Sequence, residues 1–184
     1  MGQQIHFQGI YPKDPGTPLA TDFAAVLKEY NGLLSRVASG YEANEALRQE
    51  LLQEIALAVW QGLQRFEHKS SLKTYILKIA HNRAVTHVAT NARIPRSESF
   101  EEHEESSPSF TLNPEDNAAQ DKQLQALLNI VRELPLPGRQ VLTLSLEGLS
   151  YDEIADVCGL TTSHVGVLLK RTKAAVVERL NDDK

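Results

Sequence analysis

Apolar side chains recur at helical spacing through most of the chain. The stretch from Glu42 to Phe66 contains no proline, and its apolar face consists of Leu47, Leu51, Leu52, Ile55, Val59 and Leu63. An earlier helix is expected after a cap at Asp22, and a later one after Ser70 or Ser71. Few alternating strand patterns compete anywhere in the sequence. The fold class predicted from this pattern is all-α.

A helix-turn-helix pattern lies between Leu134 and Leu180. Ser150 and Glu153 have the spacing of a capping box, in which each side chain bonds the other residue's backbone N–H. Gly159 follows where the turn favours a left-handed residue, and Thr161 is the expected cap of the next helix. The apolar stripe of that helix consists of Val165, Leu168 and Leu169. These spacings favour a DNA-reading motif over an ordinary helical hairpin.

Composition divides the chain into four segments. Residues 1–20 are rich in glycine and proline and are predicted to form a flexible arm. Residues 21–93 form a first helical domain, and residues 94–117, with prolines, serines and glutamates, form an acidic flexible linker. Residues 118–184 form a second helical domain that carries the helix-turn-helix. The chain is therefore expected to consist of two small helical domains joined by a tether.

Charge is distributed unevenly along the chain. The net charge of −5 argues against a protein that coats nucleic acid by bulk attraction. Between Arg65 and Arg96, however, seven Lys and Arg residues face one acid, Glu67, for a net charge of +6. The acidic residues that follow are Glu98, Glu101, Glu102, Glu104, Glu105, Glu115 and Asp116. The basic block favours contact with nucleic acid over a merely solvated helix face.

Several functional classes are disfavoured by what the sequence lacks. The one cysteine, Cys158, cannot form an internal disulfide and is interpreted as a small buried apolar residue. No membrane span or secretory signal is found in the sequence. These features together predict a cytoplasmic protein. His81 and His87 lie six residues apart on different helix faces without a cysteine or carboxylate cluster, so no metal site is predicted. No nucleophile elbow, phosphate loop or paired carboxylates are present. We expect no enzyme and no cofactor.

Two motif blocks resemble one known family. Five segments resemble the second characteristic region of bacterial RNA polymerase sigma factors: Arg48–Ile55, Val59–Trp60, Arg65–Phe66, Ser70–Tyr75 and Ile79–Asn82. The segments Leu134–Pro135, Arg139–Leu142, Glu147–Ala155 and Gly159–Leu160 resemble their fourth region. With only these two regions and a short linker, the chain resembles the extracytoplasmic-function (ECF) class. The resemblance implies a promoter-specificity subunit whose partners are core RNA polymerase, promoter DNA and an anti-sigma factor, with no membrane insertion.

The resemblance implies a polymerase-binding helix. In this family it docks on the coiled-coil clamp of the largest polymerase subunit, and here it would use Glu50, Leu51, Gln53 and Glu54. Charge alone would leave Glu50 and Glu54 as ordinary exposed neighbours.

The resemblance also implies capture of the melted promoter element nearest the start site. Single-stranded DNA needs a basic track, polar groups for an extruded base and an aromatic face. The expected residues are Arg65, Phe66, Lys69, Ser70, Ser71, Lys73, Tyr75, Asn82 and Arg83. Tyr75 is equally compatible with stacking on a base and with a place in the core.

The helix from about Thr162 to Leu180 would enter the major groove of the distal promoter element. Bases would face Ser163, His164 and Val167, and phosphates would be contacted by Arg139, Lys170, Arg171 and Lys173. Gly166, Val167 and Leu168 stand where the family usually carries cationic side chains. Weak unaided affinity for duplex DNA, or an unusual distal element, is therefore expected.

Two other functions are compatible with the sequence. One is a helix-turn-helix regulator that binds an operator and never contacts polymerase. The other is a degenerate sigma-like protein that binds polymerase or an inhibitor but reads DNA poorly. The linker glutamates Glu101, Glu102, Glu104 and Glu105 are equally compatible with mimicry of nucleic acid in the polymerase cleft and with a solvated tether.

Overall fold

A computed structural model describes residues 23–91 and 114–182, and in these ranges every regular element is a helix. The helices are α1 (Phe23–Tyr41), α2 (Glu45–Leu63), α3 (Leu72–Asn91), α4 (Pro114–Glu133), α5 (Leu136–Leu146), α6 (Tyr151–Cys158) and α7 (Thr162–Asp182). The all-α prediction is confirmed. The predicted arm, the Asp22 cap and the linker glutamates lie outside the described residues. Helix α4 begins at Pro114, so the last residues of the segment 94–117 predicted as a linker are helical.

Helices α1, α2 and α3 pack into an N-terminal bundle. Helix α2 begins three residues later than the apolar pattern predicts, because the Asn44 side chain caps it by accepting from the Leu47 N–H at 3.0 Å. Ser71 is the residue that caps α3, since its hydroxyl accepts from the Thr74 N–H at 3.0 Å. Polar side chains next to the apolar run therefore determine where both helices begin.

Helices α4 to α7 form a C-terminal unit that contains the helix-turn-helix, α6 and α7. The capping box is present: Glu153 N–H donates to the Ser150 hydroxyl at 3.3 Å, and Ser150 N–H donates to the Glu153 carboxylate at 2.9 Å. Gly159 ends α6 with a φ of 68°, a left-handed conformation that favours glycine. Thr161 caps α7 by accepting from the His164 N–H at 3.2 Å. Each of these local predictions is confirmed.

The N-terminal bundle and the C-terminal unit are in direct contact, which the sequence did not indicate. Their buried apolar side chains form one continuous cluster, with α1 and α3 packed against α4, α5 and α6. Tyr41 lies at this junction, where its hydroxyl is hydrogen-bonded to His81 Nδ1 at 2.9 Å. The Arg139 guanidinium lies 5.5 Å from the centre of the Tyr41 ring. The two units therefore share a core in this structure.

Candidate polymerase and promoter interfaces

One face of α2 carries the residues predicted to bind polymerase. Glu50, Gln53 and Glu54 are exposed on this helix. Leu51 is wrong as a contact residue, because it is fully buried in the core with Ile55. An apolar side chain that already fills the interior cannot also present itself to a partner.

Two large apolar side chains that were not among the predicted contact residues extend this α2 face. Leu57 is 55% exposed and Trp60 is 42% exposed. They follow Gln53 at i+4 and i+7, so the three residues lie on the same side of the helix. That spacing, which places both residues off the buried stripe, is the signal that could have found them. Exposed apolar residues next to carboxylates are typical of an interaction surface.

The connection between α2 and α3 gathers aromatic side chains. The Phe66 ring lies 4.8 Å from the Tyr75 ring and 4.5 Å from the His68 ring, measured between centroids. Tyr75 is half-buried, and its hydroxyl donates to the Gly62 carbonyl at 3.0 Å. Tyr75 is therefore anchored to the bundle while its ring packs against Phe66, so the structure places it in a partly buried packing position.

A cleft of about 470 Å³ opens beside these rings, and Trp60, Gln61, Gln64, Arg65 and Tyr75 contribute to its lining. It therefore offers aromatic walls, amide groups and one cation. Such a set can stack on a planar ring and hydrogen-bond to its polar edge.

The remaining predicted strand-binding residues fall into two groups. The first group is exposed and consists of Arg65, Lys69, Ser70, Asn82 and Arg83, of which Lys69 forms an ion pair with Glu67. The second group consists of Ser71 and Lys73, whose polar atoms are already bonded within the protein. Ser71 is also exposed, but its hydroxyl caps α3, and the partly buried Lys73 ammonium donates to the Glu147 carbonyl at the end of α5.

Helix α7 exposes almost the whole set predicted for the distal element. The exposed residues are Ser163, His164, Val167, Lys170, Arg171 and Lys173. The buried side of the helix carries Val165 and Leu169, which hold it against the rest of the C-terminal unit. The exposed side is thus free to approach a nucleic acid.

Arg139 does not belong to that exposed set. It is only 8% exposed, and its guanidinium donates to the carbonyls of Arg132 and Leu134 while it lies over Tyr41. These carbonyls belong to the end of α4, where helix acceptors lack an internal partner. The predicted phosphate contact is therefore wrong in this structure, and Arg139 joins α4, α5 and α1 instead.

His81 and His87, the two histidines considered as candidate metal ligands, make separate contacts. His81 is buried, and burial lowers its pKa to about 4, while the charge of Glu147 opposes the shift. His87 Nε2 lies 3.0 Å from a Glu42 carboxylate oxygen. Within residues 23–91 and 114–182, no group of three His, Cys, Asp or Glu side chains could hold a metal ion. The same ranges contain no helix long and apolar enough to span a membrane.

Two family models match this arrangement of helices. Residues 26–94 match the family model of Sigma-70 region 2, and residues 124–176 match that of Sigma-70 region 4. The chain belongs to the ECF sigma factors. Its N-terminal bundle is region 2, and its helix-turn-helix lies in region 4. This sigma factor binds core RNA polymerase and directs it to promoters.

Curated relatives and solved structures agree with this assignment. This sigma factor is 27% identical to the ECF RNA polymerase sigma-E factor of Escherichia coli over 134 residues, covering 69% of this chain and 70% of the relative. It is 28% identical to the RNA polymerase sigma-H factor of Pseudomonas aeruginosa over 156 residues, covering 81% and 79%.

Two solved complexes share its fold. Sigma factor RpoE bound to the anti-sigma factor NepR, from Bartonella quintana, gives a TM-score of 0.68 at 20% identity, covering 89% of this chain and 99% of that one. CnrH bound to the cytosolic domain of CnrY gives 0.63 at 18% identity, covering 88% and 89%.

Proposed function

We propose that this sigma factor docks on core polymerase through the exposed face of α2. The observation that carries the proposal is the continuity of Glu50, Gln53 and Glu54 with the exposed apolar residues Leu57 and Trp60. An apolar ridge beside carboxylates complements a partner helix that carries basic and apolar side chains. Leu51, which is buried on the opposite side of α2, anchors the helix in the core.

The α2–α3 connection is the surface we assign to the melted promoter strand. Phe66 and Tyr75 provide a pair of aromatic rings in contact, tilted by 37° to each other, and the adjoining cleft offers amide groups and Arg65. Lys69 and Arg83 are exposed cations that can follow the phosphate backbone. A base that leaves the duplex would lose its stacking partners in the DNA and gain an aromatic ring of the protein in their place.

Helix α7 is the element we assign to the distal duplex element. Ser163, His164 and Val167 would face bases, and Lys170 and Arg171 would contact phosphates. Gly166 and Val167 add no charge at positions where this family usually has cations. Duplex affinity of the isolated protein is therefore low, and polymerase binding supplies the remaining affinity through a second attachment point.

Three further properties follow from family membership and are part of the proposal. Sigma factors are generally not enzymes, and we expect no catalysis from this one. We expect it to act in the cytoplasm, where core polymerase is found. Since the structural neighbours CnrH and RpoE were solved with CnrY and NepR, we also expect an anti-sigma protein to bind this chain.

The test is capture of cognate core polymerase by the tagged protein. Wild type is compared with the double variant Gln53→Ala/Glu54→Arg, and with Asn31→Ala/Glu29→Arg as a control. The control makes the same kinds of change at exposed positions of α1. We expect the α2 variant to lose at least about tenfold in affinity, since it inverts a charge at the centre of the interface, and the control to bind as wild type does. Equal capture by all three proteins would contradict the α2 assignment.

A further inference from the structure

An apolar side chain lies in the middle of the exposed face of α7. Val167 is 55% exposed, whereas Val165 and Leu169 on the other side of the helix are buried. Ser163 and Arg171 lie at i−4 and i+4 from Val167, so the three side chains follow one line along the helix surface. Val167 is therefore not held in the core, and its methyl groups lie on the surface that we assign to duplex DNA.

The Tyr151 ring adds a second apolar group next to this position. Tyr151 is the first residue of α6 and is exposed. A Cβ added at Gly166 would lie 3.5 Å from Tyr151 Cε2 and 3.9 Å from Cδ2, so one edge of the ring faces α7 at the residue before Val167. The Thr162 hydroxyl donates to the Asp152 carboxylate at 2.8 Å, which holds the first turn of α6 against the first turn of α7. The ring is thus positioned beside the segment that carries Val167.

The charge of α7 indicates which kind of partner meets this apolar position. Three exposed cations follow Val167 on the helix: Lys170, Arg171 and Lys173. The sequence contains no acidic residue between Asp156 and Glu178. The helix therefore attracts a polyanion. Duplex DNA is a polyanion that also offers an apolar group, because thymine presents its C5-methyl group in the major groove.

We propose that Val167 determines part of the promoter specificity by recognising the C5-methyl group of one thymine in the distal element. The inference deepens the assignment of α7 to the duplex and rests on it. A valine side chain neither donates nor accepts a hydrogen bond, so it cannot read the polar groups by which guanine, adenine and cytosine differ. Among the four bases, only thymine offers the major groove a methyl group that Val167 can cover.

A valine at this position changes which base is selected as well as how tightly DNA is bound. Lysine or arginine, the side chains usual in this part of the family's helix, would favour guanine through its O6 and N7 atoms. Val167 makes no such bond and gains only from the removal of apolar surface from water. The expected distal element therefore carries thymine where a cationic residue would select guanine.

The experiment uses holoenzyme assembled from cognate core polymerase and this sigma factor. Promoter duplexes are first selected from a library randomised over the distal element. Each selected thymine is then replaced by uracil, which removes the methyl group and keeps every hydrogen-bonding group. We expect replacement at one position to weaken holoenzyme binding about fourfold, the contribution of one methyl group buried from water. In Val167→Ala the affinities for the thymine and uracil duplexes should become nearly equal at that position.

Val177→Ala is the matched control, because Val177 is 57% exposed on a later turn of the same helix. It should keep the fourfold difference between thymine and uracil. A difference that persists in Val167→Ala would show that DNA shape is recognised instead, and would overturn the proposal. The absence of any uracil-sensitive position in wild type would also overturn it, and would favour a protein partner for this apolar surface.

Lys170→Ala separates failure of the thymine contact from failure of the α7 assignment. If α7 binds the duplex, this variant should weaken binding to all selected sequences alike and reduce the salt dependence, whether or not a thymine methyl is recognised. A normal effect of Lys170→Ala without a uracil-sensitive position would refute only the role of Val167. No enrichment of distal sequences, together with no effect of Lys170→Ala, would refute the α7 assignment and the thymine contact together.

Discussion

His81 is a titratable group that the fold keeps neutral. Burial lowers its pKa to about 4, against about 6.5 in an unfolded chain. Between pH 4 and pH 6.5 the unfolded state binds a proton that the folded state does not bind. The contribution of His81 to the free energy of unfolding is therefore fully present above pH 6.5 and is lost as the pH falls toward 4. We expect the free energy of unfolding to decrease by about 2 kcal/mol between pH 7 and pH 5 from this residue, measured by urea denaturation.

Two variants assign that pH dependence to His81. His81→Gln can keep a hydrogen bond with Tyr41 but cannot be protonated, so its unfolding free energy should change much less over the same pH range. His164→Gln, at an exposed position of α7, should behave as wild type. A wild-type curve that is flat between pH 7 and pH 5 would contradict the interpretation of a buried neutral imidazole.

Arg139 is predicted to affect folding rather than DNA binding. Arg139→Ala leaves the carbonyls of Arg132 and Leu134 without their donor and should lower the free energy of unfolding by about 2–4 kcal/mol. The slope of log affinity against log salt for promoter duplex should stay the same. Lys170→Ala should do the opposite, with unchanged stability and a slope shallower by about 0.9. Denaturation and fluorescence anisotropy at several salt concentrations distinguish the two.

Single residues were hardest to predict where motif and pattern disagreed. Leu51 lies on the same apolar stripe as Ile55 and Val59, and that periodicity alone indicated the buried position that the structure shows. The motif resemblance instead predicts a contact residue at the same position. Arg139 lies beside the buried Val141 and Leu142, but a long cation is normally exposed, and its partners lie at the end of another helix. The sequence around Arg139 does not indicate such a partner.

Helices were easier to predict because their ends are determined within a few residues. The Ser150 capping box, the left-handed Gly159 and the Thr161 cap involve contacts three or four positions apart, and all are present. Composition predicts too late a start for helix α4, because its first residues share the proline and acidic composition of the linker. Proline is common in the first turn of a helix, so Pro114 itself carried the missed start signal.

Two glycines of the helix-turn-helix should respond to alanine in opposite directions. Gly159 has a φ of 68° and open space where a Cβ would lie, so the cost of Gly159→Ala is in the backbone, about 1 kcal/mol of destabilisation. Gly166 is helical, and its Cβ would lie 3.5 Å from Tyr151 Cε2, an ordinary contact. Gly166→Ala should therefore stabilise the protein by about 0.5–1 kcal/mol through helix propensity.

Chemical denaturation of both variants tests whether the free energy of unfolding falls for Gly159→Ala and rises for Gly166→Ala. Each variant serves as the control for the other. Because Gly166 precedes Val167 on the exposed side of α7, duplex binding should be measured as well. A destabilising effect of Gly166→Ala would indicate that the approach of Tyr151 to α7 leaves no room for a methyl group.

At the scale of the whole molecule, the contact between the two units could not be predicted from the sequence. Arg36 and Glu147 are separated by 111 positions, and neither charge is unusual in its own segment. Patterning reports which face of a helix is buried but not which helix covers it. The acidic, proline-containing segment between the units suggested independent domains, whereas their buried side chains form one cluster.

The shared cluster makes a prediction about cooperativity. Tyr41 and His81 from the N-terminal bundle pack with Arg139 from the C-terminal unit, so unfolding of either unit exposes part of the other's core. We therefore expect the wild-type protein to unfold in one calorimetric transition, with the loss of helix in circular dichroism and the change in Trp60 fluorescence sharing a midpoint. Glu147→Arg replaces the bidentate pair with Arg36 by two like charges and so weakens the contact between the units. The midpoint of the Trp60 signal, which reports on the N-terminal bundle, should then differ from the midpoint of total helix content. Two transitions in wild type would mean that the units are stable independently and that their contact contributes little. Coincident midpoints in both proteins would mean that the apolar junction around Tyr41 keeps the units together without the ion pair.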